Sequence, residues 1–181
     1  MAYDCKSNKW TYIASMNKSR GHTSSAVFQG KVVVTGSKIN RQLDTIFSSR
    51  YSKSVEAYCF HENKWTQLPD MLIARCGHGS VSIGNKLFVI ANEVGNKSEV
   101  FDSMTNKFTF IKRISLMKNV NYFLSTITIG YKIYVFKVKY FEENEKVSIF
   151  CYNVNQNSWT SEEIYNAKCS DYFSCEKVFK H

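Results

Sequence analysis

Proline is almost missing from this chain of 181 residues; Pro69 stands alone. No proline-rich linker can therefore divide it. Glycine numbers only 8, which excludes collagen-like and glycine-rich low-complexity sequence. No apolar run approaches the length of a membrane-spanning helix. The polar opening from Met1 to Trp10 does not read as a secretory signal. Six cysteines are present, at Cys5, Cys59, Cys76, Cys151, Cys169 and Cys175, and none forms a Cys-x-x-Cys pair. A reducing compartment, cytoplasm or nucleus, is the expectation. Cys59 and Cys151 fall inside expected strands, where a thiol acts as a small apolar filler. Paired carboxylates, a nucleophile elbow and a phosphate loop are all lacking. The chain is not expected to be an enzyme, nor to hold a cofactor or metal.

What the chain does have is aromatic and apolar side chains, at 15% and 44%, and an excess of positive charge. Lys and Arg number 24 against 15 acids, a formal charge of +9. The basic residues are dispersed, so they read as a solvated surface open to an acidic partner, and nucleic acid is not expected.

The aromatics recur in a fixed pattern. Tyr58 is followed five places later by Asn63 and then by Trp65, Met71 and Arg75. Tyr3, Asn8, Trp10, Met16 and Arg20 have the same spacing. Phe101, Asn106 and Phe108 repeat its front half, with Met117 and Asn121 displaced, and Tyr152, Asn157 and Trp159 repeat it again. Trp10, Trp65, Phe108 and Trp159 thus recur about every 50 residues, the length of a four-stranded propeller blade. Asn before each ring is turn chemistry: it tolerates left-handed backbone and caps its own turn. Each unit from Tyr to Trp therefore predicts a hairpin, with the large ring facing inward against the neighbouring blade.

These residues resemble the kelch repeat, and in particular the kelch-like adaptor family. Trp65-Thr66-Gln67-Leu68-Pro69-Asp70-Met71 is close to that family's Trp-x-x-Leu-Pro-x-Met signature, and Arg75 falls at its blade-opening Arg. One departure is plain. Where the family ends its second strand in Gly-Gly, this chain has Gly36-Ser37, Ala91-Asn92 and Lys137-Val138. Glycine permits conformations that other residues resist, so altered turns are expected there.

The resemblance implies an all-β partial kelch β-propeller covering residues 1–181. Residues 1–14 would end a preceding blade, 20–68, 75–111 and 121–161 would be blades, and 170–181 would supply a ring-closing strand, Tyr172 to Phe179. Ser37 to Lys53 is expected as a long basic loop. A second charged loop is expected around Lys137, Lys139, Glu142, Glu143, Glu145 and Lys146. Three blades do not close a ring of about six; a truncated gene model, a fragment needing a partner half and a ring-completing dimer are the readings of that shortfall. His22 and His78 lie at matching places after Arg20 and Arg75, which suits repeat structure better than a metal site.

For function, the resemblance implies a protein-binding module, the substrate-recognition part of a cullin-RING ubiquitin ligase adaptor. Cullin would be engaged only through BTB and BACK domains absent from this chain. The partner would be a protein substrate, and because Arg forks suit carboxylates, an acidic peptide. Family peptides are held by loops entering first strands and leaving second strands. That points to Arg20 and Arg75, with Asn121 in the third blade, and to Lys38, Arg41, Glu93 and Lys139. For Arg20 and Arg75 the alternative is a purely structural hydrogen-bonding role. Other readings are an actin- or cytoskeleton-binding kelch protein and a truncated, non-functional copy. No membrane partner is expected.

Overall fold

In the computed structural model, the described residues are 1–39, 50–90, 97–114, 122–140 and 145–167. Their regular structure is all strand, and every pairing is antiparallel. The chain divides into two compact units, Met1–Met117 and Lys118–His181.

The first unit opens with a hairpin of β1 (Ala2–Asp4) and β2 (Lys9–Thr11), in which Tyr3 pairs with Trp10. A first four-stranded blade follows: β3 (Ser24–Phe28), β4 (Lys31–Ile39), β5 (Arg50–Cys59) and β6 (Lys64–Leu68). The second blade is β7 (Gly79–Ile83), β8 (Lys86–Ile90), β9 (Glu99–Asp102) and β10 (Lys107–Phe110). The second unit holds a third blade: β11 (Tyr122–Ile129), β12 (Lys132–Tyr140), β13 (Glu145–Asn153) and β14 (Ser158–Ala167). In each blade the strands pair in chain order, a simple up-and-down meander.

Sequence chemistry accounts for the turns. Gly30, Gly84 and Gly130, before the second strands, have φ of 72°, 58° and 57°. Asn8, Asn63, Asn106 and Asn157 all adopt left-handed backbone, φ 46–55°, where Asn is tolerated better than most residues. Three of the four side chains reach the tyrosine of their own hairpin. Asn63 and Asn157 accept hydrogen bonds from the Tyr58 and Tyr152 hydroxyls at 2.8 and 2.7 Å, and Asn8 accepts one from Tyr3. Capping falls to Asp4, Asp102 and Asn153, whose side chains accept the backbone N–H two residues ahead.

The large rings also differ from expectation. Trp65, Phe108, Trp159 and Trp10 stack on Tyr58, Phe101, Tyr152 and Tyr3 of their own hairpins, with centroids 4.8–5.2 Å apart. Trp10 is 66% exposed, Trp65 and Trp159 are half-buried, and only Phe108 is buried. The ring belongs to its own hairpin because the cross-strand partner is an aromatic. Phe108 does face inward as expected: it joins Phe28, Val33, Val55, Ala57, Met71, Leu87, Val89 and Phe101 in the buried wedge between the first two blades. Phe28 meets Phe101 edge-on at 6.1 Å.

Both expected charged loops are shorter than the sequence implied. Ser37–Ile39 and Arg50–Lys53 pair as strand, with Lys38 opposite Tyr51. Lys137, Lys139, Glu145 and Lys146 also lie in strands, Lys139 opposite Lys146. The ladder continues because its backbone groups can pair whether or not the side chains are charged. Arg41, Glu93, Asn121, Ala91-Asn92 and the expected closing strand at 170–181 lie outside the described residues.

Candidate functional site

The rim where second strands end and first strands begin is organised by two buried ion pairs. Arg20, in the linker from β2 to β3, reaches Glu56 of β5 with Nη2 at 2.6 Å and Nε at 3.1 Å from Oε1. Its Nη1 donates to the Gly36 and Ser54 carbonyls at 2.9 and 3.0 Å. Arg75, in the linker to the second blade, pairs with Glu99 of β9 and donates to the Lys97 carbonyl at 2.9 Å. All four side chains are fully shielded from solvent.

The carboxylates also hold the linkers. Asn17 N–H donates to Glu56 at 2.8 Å, and Leu72 N–H donates to Glu99 at 2.6 Å. Burial pushes the Glu56 carboxyl up, but the Arg20 guanidinium and the Asn17 N–H outweigh it and hold it below its ordinary range. Burial lowers the Arg75 pKa, and the Glu99 carboxylate opposes that shift. Charge pairs this well bonded are fasteners whose disruption is costly. Arg20 and Arg75 therefore face inward and present no exposed fork to a peptide; the structural alternative for these two is the one the geometry supports. Sequence reasoning missed their partners. The signal was there: Glu stands two places before the hairpin aromatic in Glu56-Ala57-Tyr58 and Glu99-Val100-Phe101.

Gly36 sits among these groups. Its φ is 63°, and a Cβ there would lie 2.4 Å from the Arg75 carbonyl oxygen and 2.6 Å from the His78 ring. It forms a bulge between Thr35 and Ser37, and Ser37 N–H donates to the Arg75 carbonyl at 3.1 Å. Beneath it Thr35 Oγ1 lies 2.7 Å from His78 Nε2 and 2.8 Å from Ser80 Oγ, all three buried. Burial first, and Arg75 second, push the His78 pKa down to about 3. His78 is thus a neutral interior group. The two histidines are not equivalent: counting from the arginines, His22 matches Gly77, and both have left-handed backbone, φ 51° and 59°.

The solvent side of the rim is cationic. Lys18, Lys53, Lys97, Lys112 and Arg113 are exposed along the linkers and strand ends, and Lys38 is half-buried. Asp70 is the exposed acid among the described residues there. Of the expected contact residues, Lys38 is at this rim, its N–H bonded to the Gly21 carbonyl at 2.7 Å. Among the described residues no cluster of three or more His, Cys, Asp or Glu could hold a metal.

Four-stranded antiparallel meanders with a stacked hairpin aromatic, joined by linkers that a buried Arg–Glu pair fastens, define the blades of a β-propeller. The architecture is similar to that of the solved "Structure of YjhT" over 91% of this chain and 57% of that one, with a TM-score of 0.68 and 15% identity. Residues 40–72 match the Kelch motif, and the chain is a run of kelch repeats, a partial kelch propeller. It is 35% identical to Beta-scruin of Limulus polyphemus over 95 residues, 52% of this chain and 10% of that protein. It is 24% identical to Kelch-like protein 25 of Xenopus tropicalis over 81% of the chain and 26% of that protein. To Kelch-like protein 26 of Danio rerio it is 32% identical over 48% of the chain and 13% of that protein. The chain thus spans about a tenth to a quarter of the length of these relatives.

Proposed function

We propose that this kelch segment is a protein-binding module whose cationic rim receives an acidic segment of a partner protein. The observation that carries the reading is the charge on that rim. Lys18, Lys38, Lys53, Lys97, Lys112 and Arg113 stand against Asp70 among the described residues, and a surface of one sign steers and holds a partner of the other. The arginines of the first two blades act behind this surface by fixing the linkers that carry it. Within a longer kelch-like protein, the module is the substrate-recognition part of a cullin-RING ligase adaptor, with cullin bound elsewhere. The reduced thiols of Cys5, Cys59, Cys76 and Cys151 suit a cytoplasmic setting.

The test is fluorescence anisotropy with a labelled oligoglutamate peptide and an uncharged control of equal length. Selective binding that weakens with salt and is lost in Lys38→Glu/Arg113→Glu supports the reading. Equal affinity for both peptides overturns it. A cytoskeletal partner is the second reading, favoured by the higher identity to Beta-scruin than to either kelch-like protein. Co-sedimentation with actin filaments tests it, and recovery only in the supernatant counts against it.

A further inference from the structure

We infer that His22 is a ligand-contact residue of this rim, donating from its imidazole to a carboxylate or carbonyl of the acidic segment. The inference rests on the rim reading above and adds a specific residue and chemistry to it. His22 is exposed and stands in the linker that enters β3. Its φ is 51°, a region that side-chain-bearing residues enter against a steric penalty. The fold requires that conformation, because the matching position in the second blade is Gly77 at φ 59°. The two positions are joined directly: Gly77 N–H donates to the His22 carbonyl at 3.1 Å. Glycine meets the requirement in one blade without strain, while the first blade carries a large side chain in the same backbone.

Local structure gives the imidazole no employment. Among the described residues neither ring nitrogen of His22 has a hydrogen-bond partner. The other left-handed polar residues of this blade do have partners: the Gln29 side chain, at φ 50°, donates to Ser103 Oγ at 2.8 Å, and Asn63, at φ 46°, accepts from the Tyr58 hydroxyl. Strained residues of this kind gather at ligand clamps. Placement agrees, since Gly21 bridges to Lys38 and its N–H donates to Ser37 Oγ at 3.3 Å. The end of β4 and the His22 linker therefore form one continuous piece of rim, with Lys38 paired to the residue before His22. An imidazole N–H and a lysine together match a carboxylate and its neighbouring carbonyl.

The experiment compares the natural chain with His22→Gly and Lys38→Glu in urea unfolding and in anisotropy with the labelled oligoglutamate peptide. The expected result has opposite signs: His22→Gly unfolds at the same or a higher urea midpoint, yet binds the peptide about tenfold more weakly, the factor for a hydrogen bond to a charged group. His22→Asn, which tolerates the backbone and keeps a donor, recovers part of the affinity. If His22→Gly binds as well as the natural chain while Lys38→Glu loses binding, the His22 inference falls and the rim reading stands. If the natural chain does not bind the peptide, both fall.

Discussion

The first and third blades share a topology and differ in their fastening. In the first, Arg20 and Glu56 form a buried pair and Gly36 makes the bulge that admits the Arg75 carbonyl. In the third, the residue two places before the hairpin aromatic is Phe150, buried, where the first two blades have Glu56 and Glu99. The blade-opening arginine is replaced in sequence by Asn121, and the place of Gly36 is taken by Lys137. Arginine, glutamate and glycine have changed together. The physical logic is that a buried arginine without its carboxylate is an uncompensated charge, so the pair is kept or dropped as a unit. Without the bulge, β12 runs straight: Lys137 pairs with Ser148 and Val138 with Val147 with no shift of register. The lesson is that the blade itself needs only the strand pattern and the hairpin aromatics. The Arg–Glu pair serves the linkers at the rim.

Importing the third blade's solution into the first should have the largest effect. Glu56→Phe leaves the Arg20 guanidinium buried and unpaired and is expected to lower stability by about 3–5 kcal/mol, read by urea unfolding. Next, Gly36→Ala should cost about 1–3 kcal/mol from left-handed backbone alone, and more from the contact with the Arg75 carbonyl. The matching change, Lys137→Ala, meets no left-handed backbone, since Lys137 lies in regular strand, and loses only the contacts of its own buried side chain. Equal losses at the two positions would erase the contrast between the blades.

His78 gives the first unit a pH signature. Its folded pKa of about 3 lies below its ordinary value of 6.5. The unfolded chain therefore binds a proton that the folded chain refuses. The stabilisation is complete above pH 6.5 and is lost as the pH falls from 6.5 towards 3, at up to about 1.4 kcal/mol per pH unit. Urea midpoints across that window should fall in the natural chain and fall less in His78→Leu. The smallest effect is at the hairpins. Tyr58→Phe and Tyr152→Phe each remove one hydrogen bond to Asn and should cost about 0.5–1.5 kcal/mol, since the second blade already has Phe101 at that place.

Much of this fold was legible in the chain. Alternating apolar residues marked the strands, and Asn63, Gly30 and their counterparts marked the turns, because period and backbone preference are local properties. The strand extensions at Ser37–Ile39 and Arg50–Lys53 were not legible, since charged residues on a solvated ladder look like loop. The site was harder to read. Arg20 and Arg75 were found by spacing, but their direction was not. Whether a guanidinium faces a ligand or a carboxylate depends on where Glu56 and Glu99 are brought by pairing across β5 and β9. His22 resembles an echo of His78 because both closely follow a blade-opening arginine; counting from Arg20 and Arg75 pairs it with Gly77, and the backbone angles agree.

The central claim is that the blade-opening arginines fasten the linkers and do not themselves bind. A double-mutant cycle between Arg75 and Glu99, with Arg75→Met, Glu99→Leu and the double change followed by urea unfolding, measures it most directly. The account predicts that the double variant is more stable than the sum of the two single losses allows, with a coupling of about 1 kcal/mol or more. Losses that simply add, within about 0.5 kcal/mol, would contradict it.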